Sequence, residues 1–312
     1  MSLIVFGSIN MDLVAHAPRL PKPGETLQGD QFLTIPGGKG ANQAVAAAKL
    51  QTETHLVGRV GTDRFGQTLL TSLQTAGVET EQVKLTDTSS GVAIITVDTA
   101  GENTIVIIPG ANGQVTVGDV EQMVPLLSQA TALLLQLEVP IATVIAAAQV
   151  AHQAGVKVIL DPAPAPESLP QELYALLDII TPNETEASRL VGFDLQGRSD
   201  YERATQQFQQ WGVETAVIKL GGKGVFCQSQ SEQFWQDPFP VDVVDTVAAG
   251  DAFNAGMAVG LDRGLSLHQA VTWGAAAGAL AVTRSGAQSS LPDWETFQAF
   301  LKCHPSDPCQ NS

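Results

Sequence analysis

Positive charge is in short supply in this chain: 16 Lys and Arg stand against 32 Asp and Glu, for a formal charge of −16. Nucleic-acid binding rests on a basic footprint, and an anionic membrane surface repels a chain of this sign. Neither partner is expected. Cysteine is almost missing. Cys227, Cys303 and Cys309 are odd in number and show no C-x-x-C spacing, which argues against a disulfide framework or a zinc site and for a reducing compartment. Long apolar runs are lacking too. The most apolar window, 131–150, is broken by Gln136, Glu138 and Pro140, so no membrane span is expected. The start, MSLIVFGSINMD, has no basic region and reads as a first strand rather than a signal peptide. A cytoplasmic protein is the expectation.

What the chain does have is alternation. Its 312 residues suffice for a sizeable core. Short β-branched runs (Leu3–Phe6, His55–Val57, Ala132–Gln136, Lys157–Leu160, Asp178–Thr181, Ala216–Leu220) are separated by Ala/Leu-rich helical stretches. Strand–helix–strand repetition predicts an α/β fold: a three-layer, doubly wound, mostly parallel sheet with helices on both faces. Two segments break the pattern. Residues 91–108 read as a hairpin turning at Gly101, and the proline-rich stretch 13–35 suits neither helix nor core. Both are assigned to a small antiparallel β lid on one domain spanning 1–302, with 303–312 as a frayed tail.

Several polar clusters fall where strands end or helices begin. Gly37, Gly38, Lys39, Gly40, Ala41 and Asn42 form a glycine-rich helix entry that matches neither the Walker A nor the dinucleotide pattern. It is either a tight loop with a solvated lysine or a polar-ligand site. At Ala248, Ala249 and Gly250 small residues run into a helix start, where free amides attract an anion. Asp251 follows in the first turn, either stabilising the helix start or accepting a hydroxyl proton beside a cradled phosphoryl group. Asp245 lies six residues earlier, where a cation has room. Asn183 and Glu186 have the spacing of a capping box. Glu138, Asn10 and Asp12 follow strands, at the sheet edge where open α/β proteins place ligands. Each motif alone has a purely structural explanation; their convergence on one sheet edge favours a site.

The motifs GSINMDLV, PGGKGANQAVAAAKL, GRVGTDRFGQTLL, LQLEVP, DPAPA, TPNETEA, KLGGKGV, DTVAAGDAFNAG and AVTRSGAQSS occur in the order found in the ribokinase-like carbohydrate kinases. The resemblance runs from residue 4 to about 292, and its stretches at 36–50 and 245–256 are specific. It implies that Asn10, Asp12, Gly38 to Asn42 and Glu138 contact sugar hydroxyls. It also implies that Asn183, Glu186, Lys219, Leu220, Gly221, Gly222, Lys223, Gly224 and Gly250 serve ATP. Asp251 would be the general base, and the amides of Ala248 to Asp251 an anion hole. A ring of Asp245, Val247, Ala281, Arg284, Gly286 and Ser290 would hold K⁺, with Mg²⁺ on the phosphates. A homodimer through the lid is implied as well. Three positions depart from the family pattern. Lys219 stands where threonine is common, Ala252 where Thr or Ser follows the base, and Ala275 where a polar residue often meets adenine. The activity implied is ATP-dependent phosphorylation of D-ribose at O5. The alternatives are a sibling kinase acting on fructose, 2-keto-3-deoxygluconate or a nucleoside, and a catalytically silent sugar-binding regulator on the same fold.

Overall fold

The computed structural model describes residues 1–304; Cys309 and most of the expected tail lie outside them. In chain order the strands are β1 (Ser2–Phe6), β2 (Asn10–His16), β3 (Gln31–Gly37), β4 (Thr54–Gly61), β5 (Val83–Thr86), β6 (Gly91–Val97) and β7 (Asn103–Ile108). They continue as β8 (Ala130–Leu135), β9 (Lys157–Leu160), β10 (Ile179–Ile180), β11 (Thr215–Lys219), β12 (Val225–Gln228) and β13 (Gln233–Gln236). Nine form one sheet in the order β13-β12-β11-β10-β9-β8-β1-β4-β5. Pairing is parallel from β5 across to β11 and antiparallel for the last two strands.

Central parallel strands are covered on both faces, which is why SLIVF carries no polar alternation after its first residue. Leu3 and Val5 point into one core and Ile4 and Phe6 into the other, and all four are fully buried. The first core packs the helices Lys39–Lys49, Ala249–Asp262 and Leu267–Ala281 against the sheet. The second packs Ile141–Gln153, Glu184–Val191 and Arg198–Trp211. These are the three layers expected. The Ala-rich composition of the first set has a steric cause. A Cβ at Gly256 would lie 2.8 Å from both the Ala277 Cβ and the Trp273 carbonyl, so the last two helices of that set touch nearly backbone to backbone.

The remaining four strands make the lid, in the order β3-β2-β6-β7. Its β2–β3 and β6–β7 pairings are antiparallel, while β2 and β6 run parallel. Strand β2 starts at Asn10, earlier than the expected boundary at residue 13, so the lid grows directly out of the loop after β1. The chain's described end is the helix Trp294–Cys303, which takes in the first residue assigned to the tail.

Candidate active site

Four parallel strands deliver polar residues to one edge of the sheet, with Ser8 to Asn10 after β1, Gln136 to Glu138 after β8, Asp161 after β9 and Lys219 closing β11. Two helices point their N-termini at that edge. For Lys39–Lys49 the approach is steric: Gly38 has φ 88°, and a Cβ on Gly40 would lie 2.7 Å from Gly7 and Ser8 backbone atoms. Glycine alone lets the helix start settle on the β1 loop. For Ala249–Asp262 the preceding residue, Ala248, is left-handed at φ 59°. Strain of this kind in a non-glycine residue collects at functional sites, and no pattern in the sequence announces it.

On the lid side Glu138 gathers donors. Its Oε2 accepts hydrogen bonds from Ser8 Oγ, from the Lys39 amide at 3.2 Å and from Asn10 Nδ2 at 3.4 Å. Asn10 is in turn held by Asn112, a fully buried residue just past the lid hairpin. Asn112 accepts from the Ile9 amide at 2.9 Å and donates to the Ile9 carbonyl at 3.1 Å and to Asn10 Oδ1 at 2.7 Å. That last bond fixes which way the Asn10 amide faces: Oδ1 points inward, leaving Nδ2 as the donor toward Glu138 and the cleft. Asp12 stands beside them, its pKa raised to about 7 by burial and by the charges of Glu138 and Asp251.

Asp251 occupies the centre, buried in the first turn of its helix. Asn42 donates to its Oδ2 at 2.9 Å and Gln43 to its Oδ1 at 3.2 Å. Gln43 is itself clamped. Gln136 donates to Gln43 Oε1 at 2.7 Å, and the Gln43 amide also reaches Asp161 Oδ2 at 3.2 Å. Burial lifts the Asp251 pKa to about 6, with Lys39 pulling it down and Asp161 pushing it up. Lys39 lies among Asp251, Asp161, Glu138 and Glu186; burial disfavours its charge, but the four carboxylates outweigh that and hold it protonated.

Beyond Asp251 opens a cavity of about 630 Å³. Its polar wall carries Lys39, Asp161, Glu186, Lys219 and the Ala248–Asp251 turn. Apolar wall comes from Phe239, Pro240, Val243, Ala275 and Val282. A nucleotide, with charged phosphates and an apolar base, requires both kinds of wall. Asn183 and Glu186 form the capping box in full, each side chain accepting the other's amide at 2.8 Å. They also line the cavity, so the structural and functional explanations coexist. Gly221, Gly222 and Gly224 line it too, whereas Leu220 is buried elsewhere and Lys223 turns outward to Glu184 at 3.1 Å.

The Asp245 loop leads into the Ala248–Asp251 turn. Its carboxylate is half-buried rather than enclosed, and it caps the turn, accepting from the Val247 amide at 3.0 Å and the Gly286 amide at 2.9 Å. Asp245 and Val244 amides bond the Val282 carbonyl, so the two loops expected to ring a cation do meet. Within the ring, Ala281 and Ser290 are buried and Arg284 is exposed, with no salt bridge among the described residues. The partners of the Asp245 carboxylate are thus backbone amides.

The model of the pfkB family carbohydrate kinases matches residues 1–294. The chain belongs to this family. Among curated members it is 41% identical to a ribokinase of Haemophilus influenzae over 302 residues, 96% of this chain and 98% of that one. It is 35% identical to a deoxyribokinase of Salmonella typhi, covering 96% of this chain and 99% of the relative. The solved structure of Arabidopsis thaliana ribokinase with ribose and ATP superposes with a TM-score of 0.89 at 36% identity, covering 96% and 98% of the two chains.

In this pfkB-family chain, the residues that sequence reasoning passed over are Ser8, Gln43, Asn112, Gln136 and Asp161. Gln43 and Asp161 stood inside quoted motifs, one residue past Asn42 and at the head of DPAPA. A glutamine just past the first turn of an alanine-rich helix was the available signal. Asn112 had none, since its partners are a hundred residues away.

Proposed function

We propose that this kinase transfers the terminal phosphoryl group of ATP to O5 of D-ribose, with Asp251 as the general base. The observation that carries the reading is the position of that carboxylate. It lies between a cluster of sugar-sized hydrogen-bonding groups and a nucleotide-shaped cavity, at the start of a helix whose amides face the same point. Asn10, Asp12, Gly38 to Asn42 and Glu138 bind the sugar. Asn42 and Gln43 aim the two Asp251 oxygens, and a pKa near 6 leaves the group ionised at neutral pH but basic enough to take a proton. As the new O–P bond forms and the bond to the ADP oxygen breaks, the hydroxyl proton passes to Asp251. Charge on the transferred group meets the amides of Gly250 and Asp251, the Ala249 amide being taken by the Thr246 carbonyl at 3.3 Å.

Glu186 suits Mg²⁺: it is a carboxylate on the polar wall of the cavity with Oε1 left free by its cap. Mg²⁺ takes one or two carboxylates together with substrate phosphates, and bound there it would neutralise phosphate charge in a strongly acidic chain. The Asp245 carboxylate and the carbonyls of the two adjoining loops, all oxygen donors, suit K⁺; bound there it would stiffen the loop leading into the anion-hole turn. The lid carries an uncovered apolar edge, and a second copy of the chain is its proposed cover.

Turnover measured across D-ribose, 2-deoxy-D-ribose, D-fructose, 2-keto-3-deoxygluconate and a nucleoside tests the reading. Ribose is expected to give the highest kcat/KM. A higher value for 2-deoxyribose would make the chain a deoxyribokinase, the second reading, which the Salmonella relative favours. Tight ribose binding with no turnover would instead mark a regulator.

A further inference from the structure

Two ammonium groups stand on the cavity wall, those of Lys39 and Lys219. Lys39 is surrounded by four carboxylates. Lys219 is held differently. Its Nζ lies 2.8 Å from Asp161 Oδ1, the lysine side chain being 13% exposed and the aspartate 3%. The other oxygen of Asp161, Oδ2, accepts from the Gln43 amide that also bonds Asp251. A single carboxylate thus joins the ammonium to the amide that aims the base. The ammonium also lies against the anion-hole turn: a Cβ built on Gly250 would be 3.3 Å from Lys219 Nζ.

Ion pairs taken out of water gain little stability over an apolar pair of the same shape. This one sits where triphosphate charge must enter a chain of formal charge −16. We propose that Lys219 is a catalytic residue of the phosphoryl transfer, its ammonium touching the group in flight beside the Gly250 amide. In the same unit Asp161 is a positioning residue that aims Lys219 and, through Gln43, the base. Lysine acts here as a movable point charge on a flexible stem. It follows the phosphoryl group away from the ADP oxygen, while Asp161 keeps it from swinging onto the apolar wall of the cavity. Electrostatic help of this kind is realised mainly in the transition state, so its loss falls on kcat more than on KM.

The inference rests on the kinase reading, and the two fail separately. The wild-type sugar panel decides the first, and variants assayed with whichever sugar the wild type turns over decide the second. Lys219→Met, Lys219→Arg, Asp161→Asn and the double variant Asp161→Asn/Lys219→Met are compared. Sites are counted by sugar binding, so that misfolded protein drops out. Lys219→Met is expected to lower kcat about 10²-fold, the scale of losing one oxyanion donor, with KM for ATP changed less than fivefold and sugar affinity intact. Lys219→Arg should recover part of the rate, and Asp161→Asn should cost roughly tenfold. The double variant decides between catalysis and packing. A merely structural pair recovers when both charges go, because only the unpaired buried charge was harmful. A catalytic ammonium does not. A double variant as slow as Lys219→Met supports the proposal; one restored to within threefold of wild type, or a Lys219→Met variant that fast, overturns it.

Discussion

Strand β7 is exposed along its whole length. Ile105, Val106, Ile107 and Ile108 are between 42% and 60% exposed; Ile94 on the adjoining β6 is 44% exposed and Phe32 on β3, at the lid's other edge, 64%. A flat, apolar edge strand is a pairing surface unless something covers it. By register, Asp12, Ala93 and Ile107 line up on one face, as do Val14, Ile95 and Ile105 one step outward. That face also carries Asn10 and Asp12, so a partner lid packed there would help close the sugar cleft. Covering the half-exposed Val14, Ile95, Ile105 and Ile107 of that face returns about 1 kcal/mol each, roughly 4 kcal/mol from each protomer. The roughly 8 kcal/mol from two protomers lies inside the association cost of ~4–15 kcal/mol, so the contact is finely balanced and one added charge should tip it. Ile107→Asp sets a carboxylate from each protomer into that contact. A desolvated, unpaired charge costs several kcal/mol, so the variant is expected to be monomeric at protein concentrations where the wild type is dimeric, with a raised KM for sugar. Sedimentation equilibrium at about 10 μM, above a micromolar Kd, reads the oligomeric state of both proteins, and steady-state kinetics reads the KM. A monomeric wild type with and without sugar, or a variant that stays dimeric, refutes the argument.

Three other outcomes follow from the site. Because Asp251 is lifted to about 6 by burial and works as the carboxylate, kcat should rise with pH through that value and level off above it; a rate flat from pH 5 to 8 would exclude it as the base. Asn112→Asp keeps the shape but turns the donor facing the Ile9 carbonyl and Asn10 Oδ1 into an acceptor. KM for the sugar should rise roughly ten- to a hundredfold, the cost of an unsatisfied buried group, with a smaller change in kcat; an unchanged KM would sever Asn112 from the sugar site. Exchanging K⁺ for Na⁺ at constant ionic strength should lower kcat, and Asp245→Ala should remove the difference. A rate indifferent to the ion would leave Asp245 as a turn cap alone.

The fold was legible wherever a strand is buried on both faces or a helix carries one apolar stripe. LIVF, ALLL and VIL read as parallel strands because nothing polar interrupts them. The lid was harder. Its strands fall into one sheet only because β2 and β6 leave the core side by side, a relation across eighty residues that no local pattern encodes. Strand β5, four residues with mixed exposure, carried too little signal. At the site, Asp251 and its small-residue turn were recognisable because helix-terminus chemistry is local. Gln43, Gln136 and Asp161 act through long-range contacts, and Asn112 through a contact with the first loop; each looked like an ordinary polar residue. That Asp245 is half-exposed and amide-bound was not legible either, since loop geometry rather than sequence distance sets burial.

The central claim is that Asp251 takes the proton of the sugar hydroxyl. The Asp251→Asn variant tests it with little change of shape: an amide nitrogen or oxygen replaces each carboxylate oxygen, but the group cannot accept the proton. Measured per sugar-binding site at saturating ribose and ATP, kcat should fall by at least ~10²-fold, the lower range for losing a general base. The affinity for ribose should stay within a few-fold of wild type. A variant that turns over within threefold of wild type contradicts the account, whatever the other residues do.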